Sequence, residues 1–303
     1  MRLATSDELN AHREPGCLGV LTDRKYFRVG NSCIKRTLRR TEWTVSFAEP
    51  PSTFPVRWKN DAAILQYLAA HTNIPLPRLQ CVFEDDGAFY HCTEFVEGVS
   101  MTRLSEEDKR VVTEELLQHV TTLKSLRSDT PGVPRPYEDG DLAQSLLCAP
   151  ERVANVHWKP TTCWRPRPGV KGDFVFCHND LGQHNVIVDP STLKIKAIID
   201  WEFGGFWPEW FEGRFWERVG PSCAIEGEKD DTERCREWLK THCDEVEIPY
   251  LPTLHEKLGI SSRVDRGLTY GLPDSPSHNT RLGSEDADST NHDLGHNTHW
   301  EDD

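Results

Sequence analysis

Up to about residue 95 the apolar residues fall in short runs broken by turn formers, a pattern of strands more than of helices. Lys25-Tyr26-Phe27-Arg28-Val29 and Ser32-Cys33-Ile34-Lys35 flank Gly30-Asn31, and this two-residue connection suits the tight primed turn of a β-hairpin. Arg78–Glu84 and Ala88–Phe95 predict two further strands across the turn-forming Asp85-Asp86-Gly87. Between the two pairs lies a proline-rich loop (Pro50, Pro51, Pro55). It is followed by one helical stretch, Asp61–His71, with Ile64, Leu65 and Leu68 on one face and Pro75 and Pro77 ending it.

Beyond residue 95 the apolar spacing lengthens to the helical period. Ser105 is a good N-cap, and Glu106, Glu107 and Asp108 complement the helix dipole. Val112, Leu116, Val120, Leu123 and Leu126 then form one stripe. The stretch Thr130–Gly172, rich in Pro and Trp, reads as loop. A short buried strand, Phe174–Cys177, leads into a second hairpin made of Asn185–Asp189, a Pro190-Ser191-Thr192 turn, and Lys194–Asp200. Helices are expected near Glu209–Arg218 and Asp230–His242. From about Ser262 the apolar residues thin out, so residues 262–303 bury too little surface to offset their ordering entropy and are expected to be disordered. Within that tail His292, His296 and His299 have a metal-binding spacing only if helical, which so polar a stretch disfavours.

Composition narrows the classes. A chain of 303 residues has room for two modest lobes sharing a cleft. Its 35 basic against 49 acidic residues give a formal charge of −14, a surface that repels nucleic acid and anionic membranes alike. No apolar run approaches the roughly 20 residues of a membrane span, and Met1–Glu8 lacks an apolar secretory core. The ten cysteines, from Cys17 to Cys243, contain no C-x-x-C pair and read as reduced thiols of a cytosolic protein.

The chemistry concentrates in His178-Asn179-Asp180-Leu181-Gly182-Gln183-His184-Asn185 and in Ile198-Ile199-Asp200-Trp201-Glu202. A strand delivers a loop carrying Asp180, and Asn185 opens a hairpin whose return strand ends at Asp200. Hairpin pairing brings the start of one strand beside the end of its partner, so Asn185 and Asp200 become neighbours with Asp180 alongside. A hard cation such as Mg²⁺ takes oxygen ligands, few of them carboxylates, and completes its shell with phosphate oxygens. Asp180 is left to orient or deprotonate an attacking hydroxyl, which is the equipment phosphoryl transfer requires.

The spacing D-x-x-x-x-N, followed by a strand ending in Asp, is that of the kinase catalytic and metal loops. With Trp201 after Asp200, the wording resembles the aminoglycoside phosphotransferase and choline kinase superfamily, its fungal members in particular, over about residues 25–245. The resemblance implies an α+β, bilobal protein-kinase-like fold with a nucleotide-binding lobe (1–95) and a mainly helical catalytic lobe (96–261). It makes Asp180 the catalytic aspartate, His178 the residue buttressing its loop, and Asn185 and Asp200 the metal ligands. Lys35, on the return strand of the first hairpin, would hold nucleotide phosphates and pair with an acidic helix residue. That position falls on Asp61, at the expected start of the first helix and one methylene shorter than the family's Glu. Glu94-Phe95-Val96-Glu97-Gly98 matches the interlobe hinge, with Glu94 and Val96 offering backbone groups to a nucleobase. The phosphate-covering loop would lie at Gly16-Cys17-Leu18-Gly19. ATP or GTP with Mg²⁺ and a small-molecule hydroxyl acceptor are the implied cofactors and partner.

Other readings stand beside this one. Asp61 in place of Glu and the glycine-poor loop would also suit a pseudokinase that binds nucleotide and transfers nothing. A protein kinase is disfavoured, because an aromatic stretch follows Asp200 and no Ala-Pro-Glu segment does. Trp201, Phe203, Phe206, Trp207, Trp210 and Phe211 read mainly as core. Glu202, Glu209 and Glu212 read as solvated surface, and His184 as a loop residue or local hydrogen-bond partner.

Overall fold

Gly30 takes φ +59°, as the first position of a tight primed turn requires, and the strands it joins are β2 (Arg24–Val29) and β3 (Ser32–Thr37). The computed structural model describes residues 11, 13–21, 23–42, 53–134, 146–155 and 162–248. The predicted tail lies outside them, as do Pro50 and Pro51. With β1 (Cys17–Val20), β4 (Leu79–Asp85) and β5 (Ala88–Glu94) the hairpin builds an antiparallel five-stranded sheet in the order β1-β2-β3-β5-β4. Cys17–Val20 is therefore a strand and not the expected phosphate loop. Only Gly16, at φ +78°, turns the chain into it.

Helix α1 runs Phe54–His71, earlier than the apolar pattern indicated. Pro55, read above as part of a loop, sits in the first turn, where its missing N–H is one the helix leaves unbonded anyway. The helix bridges two cores. Phe54 and Trp58 pack on Phe89 of the sheet, whereas Ile64, Leu65 and Leu68 enter the main core. Asp61 lies between these two sets, inside the helix and not at its N-terminus as expected from sequence.

The second part of the chain begins with β6 (Val99–Ser100) and helix α2 (Glu106–Ser125). The Ser105 hydroxyl accepts from the Asp108 N–H, closing the predicted N-cap. Three small antiparallel sheets follow. In the first, β10 (Val186–Val188) lies between β11 (Ile195–Ile198) and β6. In the second, β9 (Phe174–Cys177) lies between β12 (Gly205–Trp207) and β7 (Arg127–Ser128). In the third, β8 (Thr162–Pro166) pairs with β13 (Cys243–Glu247).

Two expectations fail here. The supposed loop 130–172 contains β8 and the short helix α3 (Glu151–Asn155). The helix expected over 209–218 is two 3-10 turns, Glu209–Phe211 and Phe215–Glu217, because Gly213 interrupts the period. Helix α4 (Thr232–His242) forms as predicted. The aromatic group after Asp200 is core: Trp201, Trp207 and Phe211 are fully buried in the cluster that α2 and β9 share. All ten cysteines are free thiols. Among the described residues no helix is long and apolar enough to cross a membrane.

Candidate active site

Strand β9 ends at Cys177 and the chain turns sharply into His178-Asn179-Asp180. Asn179 adopts the left-handed φ of +68° and Asp200 one of +69°. Asn and Asp tolerate that region better than other residues with a side chain, so the two tight bends are encoded by residue type. The Asn179 amide donates to the Phe203 carbonyl at 2.9 Å, fastening the loop to the segment after Asp200.

His178 is wholly buried, and its imidazole bridges the two loops. Nδ1 accepts the Asp180 N–H at 3.2 Å, which leaves the proton on Nε2 for the Ile199 carbonyl at 2.9 Å. Trp201 packs against the ring, with centroids 4.4 Å apart, and donates its indole N–H to the Ile198 carbonyl. His178 thus ties the Asp180 backbone to the end of β11.

Asn185 donates from Nδ2 to the Asp180 carbonyl at 2.8 Å and to Asp180 Oδ2 at 3.1 Å. Its amide oxygen remains the group to offer a cation. His184 Nε2 lies 3.8 Å from Asp180 Oδ1. Burial would lower the imidazole's affinity for a proton, but the Asp180 carboxylate more than reverses this. His184 is therefore a local partner of Asp180.

Lys35 reaches across from β3 and donates from Nζ to Asp200 Oδ1. Burial disfavours both charges, yet each holds the other ionised. The Lys35 ammonium is raised above the usual lysine range by Asp200 and Asp61, and the Asp200 carboxyl is held well below the usual carboxylate range by Lys35 and Arg24. The expected Lys35–Asp61 pair is not the one formed. Asp61 instead sits 3.3 Å from His91 Nε2. An aspartate one methylene shorter than Glu reaches less far, and Asp200 meets the lysine first.

Lys35, Asp61, His184 and Asp200 border a cavity of about 300 Å³ lined also by Leu18, Glu94 and Val96, while Asp180 and Asn185 lie outside its lining. The 94–98 segment forms one wall. The Phe95 N–H is spent on the Asn31 carbonyl at 2.9 Å. The Val96 N–H has no partner among the described residues. No three His, Cys, Asp or Glu side chains converge as a metal cage among the described residues. The donor set instead fits Mg²⁺, which needs only one or two protein oxygens beside phosphate.

Three supporting residues escaped the sequence reading. Glu212, expected on the surface, accepts the backbone N–H of His178 and, at 3.3 Å, that of Asn179. Glu202 is 3% exposed and paired with Arg57 of α1, whose guanidinium stacks 4.6 Å from the Phe203 ring. Arg152 of α3 donates to the Asn179 and Phe211 carbonyls and pairs with Asp231. None carries a local signal, because each acts on a residue far along the chain. Glu209, by contrast, is the exposed partner of Lys124.

A curated relative, the aminoglycoside 3'-phosphotransferase of Streptomyces fradiae, is 30% identical over 154 residues, which cover 46% of this chain and 56% of that protein. This chain thus spans little more than half the length of that relative. Among solved structures, the aminoglycoside phosphotransferase APH(3'')-Id of Streptomyces rimosus with ADP and streptomycin aligns with TM-score 0.42 and 16% identity, over 77% of this chain and 87% of that one. A thermostable mutant of APH(4)-Ia with ADP and hygromycin B aligns with TM-score 0.40 and 16% identity, over 65% and 68%. The profile of the phosphotransferase enzyme family, APH, matches residues 21–212, well over half of the sequence and every loop just described, and the chain belongs to that family.

Proposed function

We propose that this chain is a small-molecule kinase that moves the γ-phosphoryl group of ATP or GTP to a hydroxyl of its acceptor. The observation that carries the reading is the ion pair between Lys35 and Asp200, which joins the five-stranded sheet to the hairpin bearing Asn185 at the edge of one cavity. Family membership supports it.

In this reading the nucleobase lies along residues 94–98, with the Val96 N–H free to meet it, and Lys35 holds phosphates. Asn185 and Asp200 would hold Mg²⁺, which when bound neutralises charge on the phosphates. Asp180, fixed through its N–H by His178 and through Oδ2 by Asn185, accepts or orients the acceptor's hydroxyl proton. The rigid loop supplies the positioning on which phosphoryl transfer depends.

A thermal-shift titration with ATP and GTP, each with and without Mg²⁺, tests the site in wild type and Asp200→Ala. A Mg²⁺-dependent rise in melting temperature that vanishes in the variant is expected. No shift with either nucleotide sinks the reading. A shift without ATP turnover in the presence of candidate hydroxyl acceptors favours a non-catalytic nucleotide-binding scaffold, the reading to which Asp61 for Glu points.

A further inference from the structure

Cys148 and Cys163 share a small core with Val56, Leu146 and Phe203. Their sulfurs lie 3.7 Å apart, and both are free, buried thiols. Backbone pairing sets this contact. Leu147 and Trp164 exchange both N–H···O=C bonds, each at 2.8 Å, across an antiparallel bridge. One step along, Cys148 and Cys163 face each other as a non-hydrogen-bonded pair, where antiparallel chains come closest, with α-carbons about 4.5 Å apart. A disulfide needs α-carbons roughly 4.4–6.8 Å apart. Rotation about the Cα–Cβ bonds can therefore bring the sulfurs to bonding distance while the backbone stays in place.

The surroundings hold the pair in register. Asn60 of α1 donates to the Leu146 carbonyl at 2.9 Å and lies 3.7 Å from Cys148 Sγ. Cys163 pairs on its other edge with Val246 of β13. The two cysteines are 15 residues apart, and the stretch between them carries α3. Arg152 of that helix donates to the Asn179 carbonyl in the loop bearing Asp180. A bond between the sulfurs would close a ring around the helix that grips this loop. The phosphoryl-transfer reading uses neither thiol.

We propose that Cys148 and Cys163 are a covalent modification site, at which hydrogen peroxide joins them in a disulfide that staples the segment entering α3 to β8. Cys148, 5% exposed against 0% for Cys163, meets the oxidant first. Its thiolate sulfur attacks one peroxide oxygen, the O–O bond breaks, and the departing hydroxide takes up the thiol's proton as water. The Cys163 sulfur then attacks the sulfenic sulfur of Cys148, and hydroxide leaves with the Cys163 proton as a second water. The two thiols lose two electrons and the peroxide gains them. The neighbouring Cys163 thiol and burial hold the Cys148 proton well above the usual thiol range, so thiolate is scarce and the bond forms slowly. The pair is a staple and not a fast sensor. It stands whether or not the cavity binds nucleotide.

Peptide mapping of the full chain tests this in a Cys81→Ala background, which removes an exposed thiol. The folded protein is treated with hydrogen peroxide and its remaining thiols are then alkylated in denaturant, with a Cys163→Ala sample in parallel. A linked Cys148–Cys163 peptide, lighter by two hydrogens, is expected. The melting temperature should rise with it by about 5–10 °C, the scale for closing a ring of this size. Dithiothreitol should reverse both changes, and Cys163→Ala should show neither. Cysteines 148 and 163 that remain open to alkylation after prolonged peroxide overturn the proposal. So does a linked peptide with no rise in melting temperature. If Cys163→Ala does not fold, reduction decides, because a rise that persists after dithiothreitol overturns the staple.

Discussion

Arg152 Nη1 donates to the carbonyl of Asn179 at 3.0 Å, so a five-residue helix far from the site in sequence holds the backbone of the loop that carries Asp180. The same guanidinium reaches the Phe211 carbonyl at 2.6 Å and both oxygens of Asp231. Its side chain is fully buried, whereas that of Asp231 is 28% exposed. Arg152→Ala should lower stability by about 3 kcal/mol, the low end for breaking a buried pair. Arg152→Lys keeps the charge but not the planar fork and should lose about 1–2 kcal/mol. Urea unfolding measures both, and a Lys variant as stable as wild type would show that the fork geometry contributes nothing.

Glu212 makes stability depend on pH in an unusual direction. Burial pushes its carboxyl up from the usual glutamate range, and the two loop amides with the nearby Arg152 pull it only part of the way back. The folded protein therefore holds this proton more tightly than the unfolded chain. Its contribution favours folding below the unfolded value of about 4.3 and turns unfavourable as pH rises through and above it. The stability of wild type minus that of Glu212→Gln should fall between pH 4 and 7. A difference that stays flat or rises in denaturant melts across this range would refute the assignment.

The Arg57–Glu202 pair ties α1 to the segment after Asp200, with the two side chains 13% and 3% exposed. Arg57→Met or Glu202→Gln alone leaves one buried charge without its partner and should cost about 3 kcal/mol. The double variant should be more stable than the sum of the two losses by about 2 kcal/mol. A double-mutant cycle that closes additively would mean that the ring stacking of Arg57, and not its charge, joins these elements.

Gly98 is fixed by contact as much as by conformation. A β-carbon there would lie 2.7 Å from the Val188 carbonyl oxygen and 2.8 Å from Ile187. Gly98→Ala must displace either β10 or the 94–98 wall, at about 2 kcal/mol for an overpacked site. Nucleotide affinity should fall with it in calorimetric titration. A fully stable variant with unchanged affinity would show that the wall yields freely.

The parts of the molecule legible in its sequence are those built by neighbours in the chain. Gly30-Asn31 and Asp85-Asp86-Gly87 mark two hairpins, and the pairing of β10 with β11 brings Asn185 beside Ile199, the neighbour of Asp200. Residues that act over long separations left no such trace. Glu212 and Glu202 look like ordinary surface carboxylates until the fold folds them inward, and Arg152 lies in a stretch that reads as loop. The start of α1 is not legible because Pro55 signals a loop by composition but a first turn by position. The Lys35–Asp61 pair was expected from a pattern, and the competing carboxylate of Asp200 decided the outcome.

Strand β13 lies opposite β8 along its whole length, with Val246 paired to Cys163. Val246 and Ile248 close over Val56 of α1 and Phe203 beside the Asp200 loop. On a ribosome emitting this chain, every group assigned to the chemistry is made by residue 212, some thirty residues before that clasp exists. The nascent protein would therefore carry its full set of reactive side chains before β13 is there to close over Val56 and Phe203.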